Sequence, residues 1–246
     1  MFAAARKSKA PAALLTIITD GLRAPRQPDR VRPKQILADA EIRKLVEAAF
    51  IQNADFGALV MVLAATGARM DQVARLTVAD FQPAARRLMV PSSRKGRGDR
   101  QVTHIAVPLS DDVVVRLRRI IAGRLGHEPL LLRWHHQQVA GDSNTGAPPR
   151  WERVSRKPWS NTAQMTRPWR VMIENAKLPT DLVPYCLRHS SIARGLRAGL
   201  PAQLVSAVHD TSVAMIKKDY AVFIVDAPDD LLRHAVMPLL SGEVDV

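Results

Sequence analysis

Cysteine, long apolar runs and acidic residues are all scarce in this chain, and each scarcity carries a consequence. Cys186 is the only cysteine in 246 residues, so neither an intrachain disulfide nor a thiolate metal cluster can form, which suits a reducing cytoplasm. The longest unbroken apolar run, Ala58 to Ala65, is far below the roughly 20 residues a membrane-spanning helix needs, so no membrane partner is expected. Phosphate-loop chemistry is excluded because no Gly-x-x-x-x-Gly-Lys-Ser/Thr run occurs; Gly96 and Gly98 flank a single Arg. Ser190 and Ser191 lack the Gly-x-Ser-x-Gly elbow of a serine hydrolase. The adjacent His135 and His136 have neither a helical i, i+4 partner nor a nearby cysteine, so no metal site is expected. Acid is also in short supply: 23 Asp and Glu against 36 Lys and Arg leave a formal charge of +13 and a pI near 10.8. That imbalance calls for a polyanionic partner, nucleic acid first. Only nine of the cations are Lys, and the planar guanidinium fork that dominates matches phosphate oxygens in pairs.

Three stretches can be separated along the chain. Residues 1–35 read as a basic linker or the remnant of an upstream domain. The first 19 residues carry no acid, and 20–35 hold Pro25, Pro28 and Pro33 among five basic residues, a composition that cannot pack by itself. Residues 36–225 have the patterning of a folded domain, and 226–246 form a C-terminal tail whose helical spacing from Asp229 to Leu240 suits docking on a neighbouring protomer. Within the domain, Asp39 is placed to cap a helix with apolar positions at Ile42, Leu45, Val46, Ala49 and Phe50. A buried helix over 54–65 is broken by Gly67. Short extended runs, 88–90 and 102–107, predict a small antiparallel sheet. Ser110 caps a further helix reaching about Gly123. Residues 135–162, rich in Pro, Gly, Asn and Trp without a period, read as a functional loop or a stretch without regular structure. Pro168, Pro184 and Pro201 are expected in the first turns of three helices, with Gly199 as a helix stop. The fold class is therefore mainly α with a small antiparallel β-sheet, an α+β domain.

Three segments place cations and nucleophiles where packing alone would not ask for them. In Thr66-Gly-Ala-Arg69, a glycine turn between two helices presents Arg69 beside a helix start. In Pro184-Tyr-Cys-Leu-Arg-His189, Tyr185, Arg188 and His189 fall at i, i+3 and i+4, so their tips share one helix face. In His209-Asp-Thr-Ser-Val-Ala-Met-Ile-Lys-Lys-Asp-Tyr220, Thr211 can cap a helix on which Val213, Ile216 and Tyr220 share one side.

The order of these segments resembles the tyrosine recombinase superfamily, the phage integrases, over roughly Ile36 to Val225. Thr66 to Arg69 is similar to that family's first arginine motif, Leu187-Arg-His189 to its second, and the stretch from His209 to Tyr220 to its nucleophile region. Lys95 is similar to its β-hairpin lysine. The resemblance implies site-specific recombination of double-stranded DNA by a homo-oligomer assembled on it, in a bacterial cytoplasm. Tyr220 would attack a phosphodiester to leave a 3′-phosphotyrosyl linkage, which conserves the bond energy so that rejoining needs no cofactor, neither ATP nor metal. Arg69 and Arg188 would clamp the phosphate, Lys95 would protonate the leaving 5′ oxygen, and Tyr185 and His209 would support them. Arg94, Arg97, Arg100 and His189 would contact DNA. Backbone contacts are expected from the basic runs 86–100 and 150–170.

Four features depart from the family pattern. Gln72 stands where Glu is usual, so Arg69 would be oriented by a neutral hydrogen bond or by Asp71. Tyr185 replaces the histidine that opens the second motif and with it the obvious proton acceptor. His209 is eleven residues before Tyr220, about two more than usual, and follows Val208 rather than a glycine. The family's N-terminal DNA-clamping domain has no counterpart in the first 35 residues. A catalytically inactive DNA-binding remnant is the alternative reading, and a type IB topoisomerase-like relaxer a third.

Overall fold

The computed structural model describes residues 35–93, 102–141, 146 and 148–224. The expected linker before residue 35, residues 94–101 with Arg94, Lys95, Arg97 and Arg100, and the tail 226–246 lie outside the described residues.

Two consecutive helices build the floor of the domain. Helix α1 (Asp39–Gln52) buries Ile42, Leu45 and Ala49, the three- and four-residue spacing of its apolar face. Its cap is Ala38 rather than Asp39: the Glu41 carboxylate accepts from the Ala38 backbone N–H at 2.8 Å, while Asp39 sits in the first turn and pairs with Arg194 at 3.0 Å. Asn53, in extended backbone, ends α1 and caps helix α2 (Ala54–Thr66), its Oδ1 accepting from the N–H groups of Asp55 and Phe56. Helix α2 is buried almost throughout, as an all-apolar helix at the centre of a domain must be. It stops at Gly67, whose left-handed φ of +60° is free of Cβ strain only for glycine. A one-turn helix α3 (Met70–Val73) follows, with Arg69 at its N-cap.

The sheet has order β1-β2-β3, all antiparallel: β1 (Phe81–Gln82), β2 (Arg87–Pro91) and β3 (His104–Pro108). Leu88 pairs with Val107, and both point into the core. Helix α4 (Asp111–Ile121) starts after Ser110 and buries Val113, Val114 and Leu117. Residues 135–162 are not a structureless insertion. Strands β4 (Leu132–Val139) and β5 (Arg150–Pro158) pair along their whole length. Period-2 patterning could not reveal them because both faces are largely exposed, so no apolar alternation is imposed.

The second half is helical: α5 (Ala163–Ala176), α6 (Cys186–Arg197), α7 (Ala202–Val208) and α8 (Val213–Tyr220). Pro184 and Pro201 precede α6 and α7, but Pro168 lies inside α5, which begins five residues earlier because Asn161 Oδ1 accepts from the Gln164 N–H and Gln164 Oε1 accepts from the Ser160 N–H. Gly199, at φ +78°, follows the end of α6 as a glycine stop does. Helix α8 is capped by Ser212, whose side chain accepts from the Met215 N–H, not by Thr211, whose own N–H is donated back to the Ser206 carbonyl. One large core joins α1 to α5 and the start of α6. A smaller cluster of Ile192, Leu196, Val205, Ile216 and Tyr220 binds α6, α7 and α8. Eight α-helices and two antiparallel sheets among the described residues make a mostly helical α+β domain, and no described helix is long and apolar enough to cross a membrane.

Candidate active site

The turn at Gly67, the N-terminal half of α6 and the turn between α7 and α8 meet. Gly67 is required there twice over. Besides its positive φ, a Cβ would stand 2.7 Å from Ser191 Oγ and 2.8 Å from the His209 imidazole. That close approach puts the Gly67 carbonyl within reach of Arg188, which donates to it at 2.9 Å and with its other terminal nitrogen to the His209 carbonyl. Arg188 is 3% exposed. Burial first, then the neighbouring Arg69, hold its pKa below the ordinary guanidinium value.

Arg69 is anchored from the same turn. Its Nη1 donates to the Asp210 carbonyl at 2.9 Å and pairs with Asp210 Oδ2 at 3.3 Å, while its buried Nε has no hydrogen-bond partner. The counter-ion is therefore Asp210 and not Asp71, whose carboxylate lies 4.0 Å from Arg75. Gln72 contributes as the neutral hydrogen bond: its Oε1 accepts from the Arg69 backbone N–H, and its Nε2 donates to the Pro91 carbonyl and Asp210 Oδ2. Asp210 itself adopts a φ of +48°, and its carboxylate also accepts the Ser93 N–H at 2.7 Å. Nothing in the residue spacing pointed to Asp210 except its place beside His209.

His209 is 6% exposed. Its Nδ1 lies 2.9 Å from the Val205 carbonyl, an acceptor only, so Nδ1 carries the proton and Nε2 accepts from the Ser191 hydroxyl at 2.9 Å. Burial, ahead of the nearby Arg188, Arg194 and Arg69, pulls its pKa down to about 4, and the ring is neutral at pH 7. In this arrangement the imidazole fills the space between Gly67 and α6, and the backbone carbonyl of His209 is what holds Arg188.

Tyr220 closes α8 with its ring in the small apolar cluster, 5% exposed. Its hydroxyl is 2.6 Å from His189 Nδ1. Burial, assisted by Tyr185, raises the phenol to about 12, against the pull of Arg188. Tyr185 is half-exposed and stacks edge-on against His189, with ring centroids 4.9 Å apart, while the Arg188 guanidinium lies 6.0 Å from the Tyr185 centroid. The rings of Tyr185, His189 and Tyr220 thus run in a row beside Arg188. His189, assigned to DNA contact by its sequence position, is turned toward the phenol. The i, i+4 relation of Tyr185 and His189 put both on one face, but the partner arriving from α8 was not visible. Cys186, on the same helix, is fully buried and its thiol pushed up to about 12, which leaves it no nucleophilic role. Among the described residues no group of three or more His, Cys, Asp or Glu could hold a metal ion.

Two guanidinium groups within electrostatic reach of each other, balanced by one carboxylate and flanked by a buried phenol, form an arrangement suited to a phosphate oxyanion. Comparison with solved structures gives the same architecture. The chain is similar to XerA recombinase, with 21% identity and a TM-score of 0.52, covering 81% of this chain and 63% of that one. It is similar to the Tn1549 transposon integrase in complex with transposon right end DNA, with 17% identity and a TM-score of 0.54, covering 91% and 74%. It thus spans less than two thirds of the XerA chain. No curated protein sequence matches it. Residues 35–221 match the phage integrase family, and with three quarters of its length inside that match the chain belongs to the phage integrase family.

Proposed function

We propose that the protein is a site-specific DNA recombinase that cuts and rejoins duplex DNA through a 3′-phosphotyrosyl intermediate on Tyr220. The observation that carries the reading is the 2.6 Å contact between the Tyr220 hydroxyl and His189 Nδ1, one residue from the buried Arg188. A phenol held at a pKa of about 12 is a poor nucleophile at neutral pH, so its proton must leave as the O–P bond forms. His189 Nδ1 is the acceptor, taking the role that the Tyr185 replacement removes from the second motif. As Tyr220 Oη bonds to phosphorus, the bond from phosphorus to the 5′ oxygen breaks, and Lys95 supplies the proton that oxygen takes. Arg69 and Arg188 meet the charge that builds on the non-bridging oxygens, and the unpartnered Arg69 Nε offers one donor toward them. His209 and Tyr185 position Arg188 through its backbone carbonyl and ring contacts. Duplex DNA is the partner, and the net charge of +13 supports it.

A second reading, a DNA-binding relative without strand cleavage, is favoured by the burial of Tyr220. One experiment separates them. Incubated with a nicked duplex bearing its attachment site, the chain yields a denaturant-resistant protein–DNA adduct that disappears in Tyr220→Phe. An adduct surviving in Tyr220→Phe refutes the nucleophile, and salt-dependent binding with no adduct under any condition selects the second reading.

A further inference from the structure

The β4–β5 hairpin takes no part in the site above. We propose that it is a separate DNA-contacting arm, whose face bearing Trp134, His136, Trp151 and Arg153 lies in a groove of duplex DNA away from the cleaved phosphate; this rests on the reading of the protein as one that acts on duplex DNA.

The root of the hairpin packs on the domain and its outer half is exposed. At the root, Trp159 is buried against Phe56, with ring centroids 6.2 Å apart, and donates its indole N–H to the Leu132 carbonyl. Arg156 pairs with Asp55 in the first turn of α2. Outward from there, His136 to Val139 and Arg150 to Val154 are exposed or nearly so, on an arm roughly 25 Å long at about 3.4 Å per residue. A two-stranded ribbon exposed on both faces is marginal by itself in water, so the outer half gains little from the domain it leaves.

The register sorts its side chains into two unlike faces. Trp134 pairs with Arg156, His136 with Arg153 and Gln138 with Trp151, and paired residues share a face, the shift between His135 and His136 absorbing the extra residue Val154. The guanidinium carbons of Arg153 and Arg156 lie 5.6 Å and 5.7 Å from the centroid of Trp134, which holds both cations extended along that face. No acid of either strand lies on it. Glu152 is on the opposite face, opposite Gln137 and paired with Arg150 at 2.7 Å. Trp151, at 67% exposed, completes the cationic and aromatic face. A protein interface of this size would carry a core depleted in charge, whereas this face carries two cations on an indole ring with Asp55 of α2 paired to Arg156 at the root, which leaves Arg153 as the outward cation that complements a polyanion. A two-stranded ribbon also has the width the major groove admits.

The test measures binding of the full chain to a labelled 30-base-pair duplex, and to one of its strands alone, across a salt series. In Arg153→Gln the duplex affinity falls several-fold, and the slope of log affinity against log salt drops by about 0.9, the signature of one phosphate contact. Trp151→Ala lowers duplex affinity without changing the slope. Arg150→Gln, on the other face and already paired with Glu152, costs less than Arg153→Gln. If Arg153→Gln and Trp151→Ala keep the affinity and slope of the unaltered chain, or lose affinity only for the single strand, the arm does not lie on duplex DNA. If the unaltered chain itself shows no salt-dependent duplex binding, the proposed function falls first. All three positions are on the surface, so circular dichroism melts of the variants coincide with that of the unaltered chain.

Discussion

His209 should make the stability of this domain depend on pH in a window where most proteins show little change. Its imidazole is sealed between Gly67, Ser191 and the Val205 carbonyl, and its pKa falls from 6.5 in the free side chain to about 4 in the fold. The unfolded chain therefore takes up a proton near pH 6.5 that the folded chain refuses until about pH 4, so folding loses ground as the pH falls between the two values. With roughly 1.36 kcal/mol per unit, the full interval amounts to about 3 kcal/mol, a sizeable share of the 5–15 kcal/mol typical of a domain. Because the group is almost wholly buried, solvent screening takes little from that figure. Urea unfolding at pH 7.5, 6.5, 5.5 and 4.5 measures it, with His209→Asn as reference. The variant is weaker at pH 7.5, having given up the Ser191 contact, but it does not titrate in this range, so the two stability curves converge by about 3 kcal/mol on acidification. Parallel curves from pH 7.5 to 4.5 would mean that the imidazole charges freely in the folded protein and that the sealed arrangement around it is wrong.

The proton path makes its own prediction: His189→Gln lowers the cleavage rate by about 10² to 10⁴, the range for loss of a general base. Its residual rate climbs close to tenfold per pH unit above neutrality, because only the phenolate remains reactive and the Tyr220 pKa is about 12; a flat residual rate in single-turnover cleavage would rule out the assignment. Asp210→Asn keeps the hydrogen-bond geometry but removes the charge opposite Arg69, so cleavage falls more than duplex affinity does, and single-turnover rates set beside binding isotherms resolve the two. Gly67→Ala forces a Cβ into the left-handed region against Ser191 and His209, costing about 2 kcal/mol from the backbone and the clash together, read as a lower urea midpoint with an unchanged slope.

Elements with a strong local signature were legible in the sequence. Gly67 announced itself because a lone glycine after an apolar helix has few other uses, and the sheet strands because Leu88, Val90 and Val107 alternate into a core on one face. The β4–β5 hairpin was not legible, since a ribbon exposed on both faces carries no hydrophobic period for the eye to follow. Caps were read one position out at both Asp39 and Thr211: at α1 the Glu41 carboxylate takes the Ala38 N–H, so an alanine caps without a polar side chain of its own, and at α8 the neighbouring Ser212 supplies the accepting oxygen. Of the candidate site, the charged and phenolic residues stood out by their order along the chain. Their partners did not, because Asp210 and Ser93 acquire meaning only when segments more than a hundred residues apart are brought together.

That missing partner links parts of the site that the motifs treat as separate. A single carboxylate oxygen, Asp210 Oδ2, receives Arg69 at 3.3 Å, Gln72 at 3.3 Å and the Ser93 N–H at 2.7 Å. Ser93 follows β2 and leads toward Lys95, Gln72 sits on α3, and Asp210 begins the turn that leads to Tyr220. One acid therefore binds Arg69, the segment that leads toward Lys95 and the segment that leads to Tyr220 into one part-buried network, and a network of this kind responds as a unit when any member is changed. It also explains how Gln72 can stand where an acid is usual. The negative charge that orients Arg69 comes from across the site, so a second carboxylate at position 72 would face Asp210 directly, repelling it and displacing the Pro91 carbonyl contact that Gln72 makes at 2.9 Å. Gln72→Glu should accordingly weaken the site rather than restore it.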